Sequence, residues 1–182
     1  MKTKSTTLYI LKLTLTLFII TAIVAAALAG VNSVTAPIIE KINHEKTQAA
    51  IEAVLPGGGE ALESFPDETG MIRKVYASDT GYAIEVAPSG FAGEIVMMVG
   101  IIDGKVSGIS IISQTETAGL GAVAAAKTSA GENFRNQFTG LSGELLVSKD
   151  GGTIDAITSA TITSRAVTNG VNAALKCAES LG

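Results

Sequence analysis

Apolar residues dominate the chain from Leu8 to Val31, and residues 13–31 contain no charge at all. About 20 apolar residues, rising 1.5 Å each in a helix, cross the hydrocarbon core of a bilayer. Lys2, Lys4 and Lys12 come before the uncharged run. Basic residues on that flank keep the N-terminus cytoplasmic and send the remainder of the chain across the membrane. Ala27-Leu28-Ala29 fits the small-residue pattern of a signal-peptide cleavage site. The apolar run is longer than a usual signal-peptide core, so an uncleaved anchor is expected. From Pro37 to Leu55 charges separate Ile39, Ile42, Ala49, Ala53 and Val54, which predicts a helix leaving the membrane. Pro56-Gly57-Gly58-Gly59 ends it. Residues 60–70 are acidic, carry Pro66 and Gly70, and predict a loop.

The pattern then shortens to that of strands. Ile72–Ala77 is a candidate, and Tyr82, Ile84 and Val86 alternate within Gly81–Ala87. Gly93–Ile102 and Lys105–Ser113 are β-branched segments joined by Asp103-Gly104, a pair suited to a type I′ hairpin. Val123–Lys127 and Glu132–Phe138 predict two short helices, the second placing Phe134 and Phe138 on one face. Leu145–Ser148 and Thr153–Ile157 read as strands around Lys149-Asp150-Gly151-Gly152. Finally Val167, Val171, Ala174, Ala178 and Leu181 recur at helical spacing. The expected class is α+β, an antiparallel or mixed sheet with packed helices, preceded by a single N-terminal transmembrane helix. The expected division is 1–31 as cytoplasmic tip and anchor, 32–70 as juxtamembrane helix and linker, and 71–182 as an extracytoplasmic domain.

Composition narrows the function. Beyond residue 29 the chain carries 10 Lys/Arg against 17 Asp/Glu, a net charge of −7. That leaves no basic stripe for a phosphate backbone, so nucleic acid is excluded as a partner. One cysteine, Cys177, and one histidine, His44, form no metal-ligand spacing. Cys177 lies near the end of the last helix and reads as a small core filler, and His44 as a solvated helix residue. None of the glycines between 81 and 108 opens a dinucleotide fingerprint ahead of a helix.

Chemistry concentrates at Asp155-Ala156-Ile157-Thr158-Ser159-Ala160-Thr161-Ile162-Thr163-Ser164. Three threonines and two serines crowd the start of the last helix, whose first N–H groups lack intrahelical partners. The hydroxyls can cap the helix, and on spacing alone a cap is the better reading. The same free N–H groups and the helix dipole favour an anion such as a phosphate.

Asp155-x-x-Thr158-Ser159-Ala160-Thr161 resembles the D-x-x-[S/T]-G-A-[T/S] motif of the FMN-binding domain family. In that family a flavin transferase uses FAD to attach FMN to the last hydroxyl residue through a phosphoester. The resemblance implies Thr161 as the covalent FMN site, with Thr158, Ser159 and Ala160 around it. Ser159 stands where the family usually has glycine. Glu116-Thr117-Ala118-Gly119-Leu120-Gly121 is similar to the family's E-T-P-G-L-G loop, with Ala118 in place of proline. Taken singly, it is a strand-to-helix loop with two structural glycines. In the family this loop lies against the isoalloxazine ring, which implies Glu116, Thr117 and Leu120 as flavin contacts.

The resemblance spans roughly Ile72 to Leu181. It implies an electron relay with FMN as covalent cofactor, no catalytic residue in turnover and no metal. Small size and one anchor resemble the G subunits of Rnf-type ion-translocating electron transport complexes. The C subunit of the sodium-pumping NADH:quinone oxidoreductases, or a membrane-anchored flavin-binding regulator, is the alternative. The partners implied are the other subunits of a membrane redox complex, a flavin transferase for maturation, and the membrane.

Overall fold

The computed structural model describes residues 2–182, with side chains from Leu8 onward. The side chains of Lys2 and Lys4, on which the basic flank partly rests, lie outside the described residues. The chain divides into two units, one ending at Glu45 and the other running Lys46–Gly182.

The first unit is helical. Helix α1 runs Lys2–Val54 without a break, with Pro37 inside it. The sequence predicted a separate helix starting at Pro37; instead the helix continues through it, giving up the hydrogen bond that proline cannot donate. Leu8, Leu11, Phe18, Ile23, Leu28 and Val34 are all more than half exposed, so apolar surface surrounds the helix on every side. Its length and composition suffice to cross a membrane. The hydroxyls of Thr14, Thr16, Thr21, Ser33 and Thr35 each donate to a carbonyl three or four residues earlier. Every one of these polar groups is therefore satisfied within the helix, as a lipid environment demands.

The second unit is built on one antiparallel sheet. Strands β1 (Glu60–Ala61), β2 (Ile72–Ser78), β3 (Gly81–Val86), β4 (Val96–Ile102) and β5 (Lys105–Ser113) lie side by side in chain order. Asp103 and Gly104, both at positive φ (52° and 71°), make the β4–β5 turn, as a type I′ hairpin requires. Alternate residues of β2 to β5 serve two different cores. Val75, Ile84, Met97 and Val99 face one, with Val167, Val171 and Ala174 of α3 (Thr161–Leu181) and with Phe134 and Phe138. Tyr76, Ala83 and Met98 face the other, with Ala50, Ile51, Val54 and Leu55 at the end of α1. Covering both faces explains why β4 reads Val-Met-Met-Val-Gly-Ile-Ile, apolar throughout. At Gly100 a Cβ would strike the Val54 carbonyl and the Ser107 hydroxyl, and Ser107 donates to that carbonyl.

Several expected boundaries move. Residues 60–70 are not wholly loop, because Glu60 and Ala61 pair with Ala77 and Tyr76. The strand expected from Gly93 begins at Val96, since Ser89 and Glu94 bridge to close a turn. The burial of Ala50 and Ile51 leaves the expected Ala49 and Ala53 exposed. Leu145–Ser148 and Thr153–Ile157 are not strands: they share one parallel bridge, Val147 to Ile154. A 3-10 turn at Ser148–Asp150 closes the chain between them before a ladder can extend. The short helices fall at Gly121–Ala125 (3-10) and at α2, Ser129–Asn136. His44 is exposed and Cys177 buried, as read from the sequence.

Candidate functional site

The turn into α3 is held from its flanks. Gln137 grips the backbone of Asp155, its Oε1 accepting from the amide (2.7 Å) and its Nε2 donating to the carbonyl (3.1 Å). Ser164 closes the other side: its Oγ accepts from the Ile157 amide (3.0 Å) and donates to the Ala160 carbonyl (2.9 Å). Ser159, between them, has φ of 61°, the left-handed region that favours glycine. The glycine of the motif thus answers a backbone requirement, and serine meets it at a steric cost.

The expected hydroxyl cap is not formed. Ala160 occupies the N-cap position, and no side chain caps α3. The hydroxyls have other partners. Thr161 Oγ1 accepts from Lys149 Nζ at 3.0 Å, and the Thr163 hydroxyl donates to the Glu116 carboxylate. Thr158 and Ser159 are exposed. The first amides of α3 thereby keep their capacity for an anion.

A cavity of about 300 Å³ opens there. Phe91, Glu116, Thr117, Leu120 and Gly121 line one side, and Ser159 through Thr163 the other. Two motifs some forty residues apart in sequence therefore share one cleft. Of the residues expected at the site, Thr161, Ser159, Ala160, Glu116, Thr117 and Leu120 line it; Thr158 does not.

Glu116, expected as a flavin contact, lines the cleft and also makes hydrogen bonds within the protein. Only 8% exposed, it ties three segments together. Its Oε1 accepts from the Ala92 amide at 2.9 Å, and its Oε2 accepts from Thr163 of α3. Gly121 makes this approach possible, because a Cβ there would collide with both the Glu116 carboxylate and the Thr163 hydroxyl.

Phe91, Lys149 and Gln137 belong to the site and were missed in the sequence. Phe91 is 69% exposed on the cavity rim. A lone aromatic between Gly90 and Gly93 was a readable signal for it. Lys149 heads a Lys-Asp-Gly-Gly turn, which flagged a turn but not its target. Gln137 lies in residues 133–138, a stretch similar to one the family has between its two motifs, but only its aromatic residues had a legible role, as core. Asp150 anchors the Lys149 turn, accepting from Arg165 Nε (2.7 Å) and Nη2 (2.6 Å). The Arg165 hydrogen bonds hold the Asp150 carboxyl below its ordinary value, and Asp150 raises Arg165 in turn.

These residues suit a flat ring bearing a phosphate. Phe91 and Leu120 offer apolar surface, the glycine loop permits close backbone approach, and an uncapped helix start with an adjacent ammonium offers an anion seat. Among the described residues no His, Cys, Asp and Glu cluster could hold a metal.

Residues 90–176 match the model of the FMN-binding domain family, which takes in both motifs. The G subunit of the Na(+)-translocating ferredoxin:NAD(+) oxidoreductase complex of Acetobacterium woodii is 38% identical, over 94% of this chain and 93% of the relative. The G subunit of the ion-translocating oxidoreductase complex of Methanosarcina acetivorans is 28% identical, over 91% of this chain and 93% of its own. The G subunit of the proton-translocating ferredoxin:NAD(+) oxidoreductase complex of Clostridium ljungdahlii is 40% identical over 56% of this chain and 57% of its own. The chain belongs to the FMN-binding domain family, among the G subunits of ion-translocating oxidoreductase complexes.

Proposed function

We propose that this chain is the FMN-carrying electron-transfer subunit of a membrane-bound, Rnf-type ion-translocating oxidoreductase complex, with the flavin joined to Thr161 through a phosphoester. The observation that carries this reading is the position of Thr161, at the uncapped start of α3 and in the wall of the cleft that the Glu116–Gly121 loop completes. A phosphate on its Oγ would sit where the helix start favours negative charge. Phe91 and Leu120 would flank the ring and exclude water from it, and Thr117 would offer a polar contact at its edge. FMN, when bound, supplies one- and two-electron transfer, while the protein supplies position and shielding. The exposed Asp155 carboxylate is left for recognition by the modifying transferase. Thr161 is used up by the bond and takes no part in turnover.

The basic flank of the apolar helix supports a single-pass protein with its N-terminus in the cytoplasm and Lys46–Gly182 outside it. Covalent attachment suits that compartment, where a dissociated cofactor would be lost. Ion movement belongs to partner subunits, because an apolar helix without charge over residues 13–31 offers no path for an ion. Relatives named for sodium and for proton translocation are both similar to this chain, which fits a coupling ion chosen elsewhere in the complex. G-type relatives matched along nearly their whole length favour this assembly over a sodium-pumping NADH:quinone oxidoreductase.

The test is intact mass after co-expression with a flavin transferase. The expected gain is about 438 Da, one FMN less one water, mapped to the peptide holding Thr161 and absent in Thr161→Ala. An unmodified mass, or a modified peptide elsewhere, overturns the assignment.

A further inference from the structure

Lys149 donates to the side-chain oxygen of Thr161 at 3.0 Å, and its position is maintained by a chain of contacts that ends on the same helix. The 3-10 turn Ser148–Asp150 is closed at its base by the Val147–Ile154 bridge and by the Ser148 amide donating to the Ile154 carbonyl (2.7 Å). Gly152 lies flat on the Leu146 carbonyl, leaving no room for a Cβ. From the other side Arg165, in the second turn of α3, takes both oxygens of Asp150. The turn is thus fastened to α3 one turn beyond Thr161, and Lys149, one residue before Asp150, reaches the hydroxyl. A flexible, exposed lysine is otherwise free to leave for solvent, where its ammonium is best hydrated. No carboxylate pairs with Lys149 among the described residues.

We propose that Lys149 seats the flavin phosphate during attachment and afterwards, with Asp150 and Arg165 as the positioning residues that aim it. This rests on Thr161 being the attachment site. In the transfer, Thr161 Oγ1 forms a bond to the FMN-side phosphorus of FAD and the bond from that phosphorus to the AMP oxygen breaks. AMP leaves, the hydroxyl proton passes to a base of the transferase, and no electron changes hands. The Lys149 ammonium stabilises the extra negative charge on the phosphoryl oxygens as the bonds exchange. In the product it pairs with the single remaining charge of the phosphodiester, beside the first amides of α3.

The test uses the full chain in detergent, an FAD-dependent flavin transferase and FAD, following covalent flavin by in-gel fluorescence and intact mass. Lys149→Met should lower kcat for attachment by about tenfold or more, the loss of one charge-assisted hydrogen bond, with the KM for the acceptor chain unchanged. Lys149→Arg, which keeps charge and donors, should stay within about threefold of the parent. Asp150→Asn should fall between them, since it releases the turn and leaves the ammonium in place. The thermal midpoint of Lys149→Met should match the parent's, because the side chain is exposed. An unchanged rate in Lys149→Met overturns the proposal, as does a raised KM at unchanged kcat, which would make Lys149 a docking contact for the transferase. A parent chain that gains no flavin at all overturns the attachment reading itself, a result distinct from either.

Discussion

Ser159 is where a single residue carries the most information. Its φ of 61° lies where an L side chain crowds the following carbonyl, at a cost of about 1–2 kcal/mol. Glycine has no such cost but loses more freedom on folding, by roughly 0.5–1 kcal/mol. Ser159→Gly is therefore expected to stabilise the chain by about 0.5–1 kcal/mol, read as a rise in thermal midpoint, with the turn unchanged. A fall in midpoint would mean that the serine contributes something its exposed hydroxyl does not reveal. Glu116 makes the complementary point. Its place in the motif suggested a flavin contact, and its carboxylate, in the wall of the cleft, also clamps Ala92 and Thr163. Functional and structural roles share one side chain there, and only the fold separates them.

Among elements, the 3-10 turn Ser148–Asp150 and the start of α3 act as one piece through Asp150 and Arg165. The Asp150 carboxyl is held below its ordinary value of 3.8 by hydrogen bonding to Arg165. A lowered carboxyl contributes fully above the unfolded value and loses its contribution as pH falls through the folded one. Protection of the Gly151 and Gly152 amides from exchange should accordingly hold from neutral pH down to about 4 and be lost only below it, as the pair breaks. Release at about pH 5 or 6 would show that something other than Asp150 fastens the turn. Along the chain, the elements with a strong period were legible: the Asp103-Gly104 hairpin, β2, β3, β5 and the buried face of α3 all stand where the pattern put them. Those that failed did so for tertiary reasons. Leu145–Ser148 and Thr153–Ile157 have strand composition but meet at one bridge, because the intervening turn is drawn onto α3. Pro37 reads as a helix start and is instead crossed, since nothing on its neighbours supplies a stop.

For the molecule as a whole, the relevant division is between a helix whose surface is apolar on all sides and a sheet domain with a net acidic composition. The proposed orientation has a direct check. In intact cells or right-side-out vesicles, protease added from outside should remove Lys46–Gly182 and leave a fragment of the first unit, while inverted vesicles should protect the domain. The reverse pattern would put the flavin in the cytoplasm and remove the rationale for a covalent tether. Cys177 adds an internal control: burial, with Asp67 adding to it, pushes its thiol up, so maleimide should label it only after unfolding.

By itself the sequence determined what depends on neighbours along the chain. Runs of apolar residues specify a helix that needs lipid, alternation specifies strands, and a small-residue motif before a helical stripe specifies a hydroxyl at a helix start. These are short-range consequences of backbone geometry, whereas the family and the proposed attachment residue came from the resemblance of two short motifs to known ones. Only the tertiary structure decided what depends on distance in space. It brought Phe91, the Glu116–Gly121 loop and Thr161 to one cleft, turned Glu116 inward, and set Lys149 against the threonine. Each of those pairings crosses a gap that no local periodicity encodes, because it is closed by the folding of a sheet between two helices.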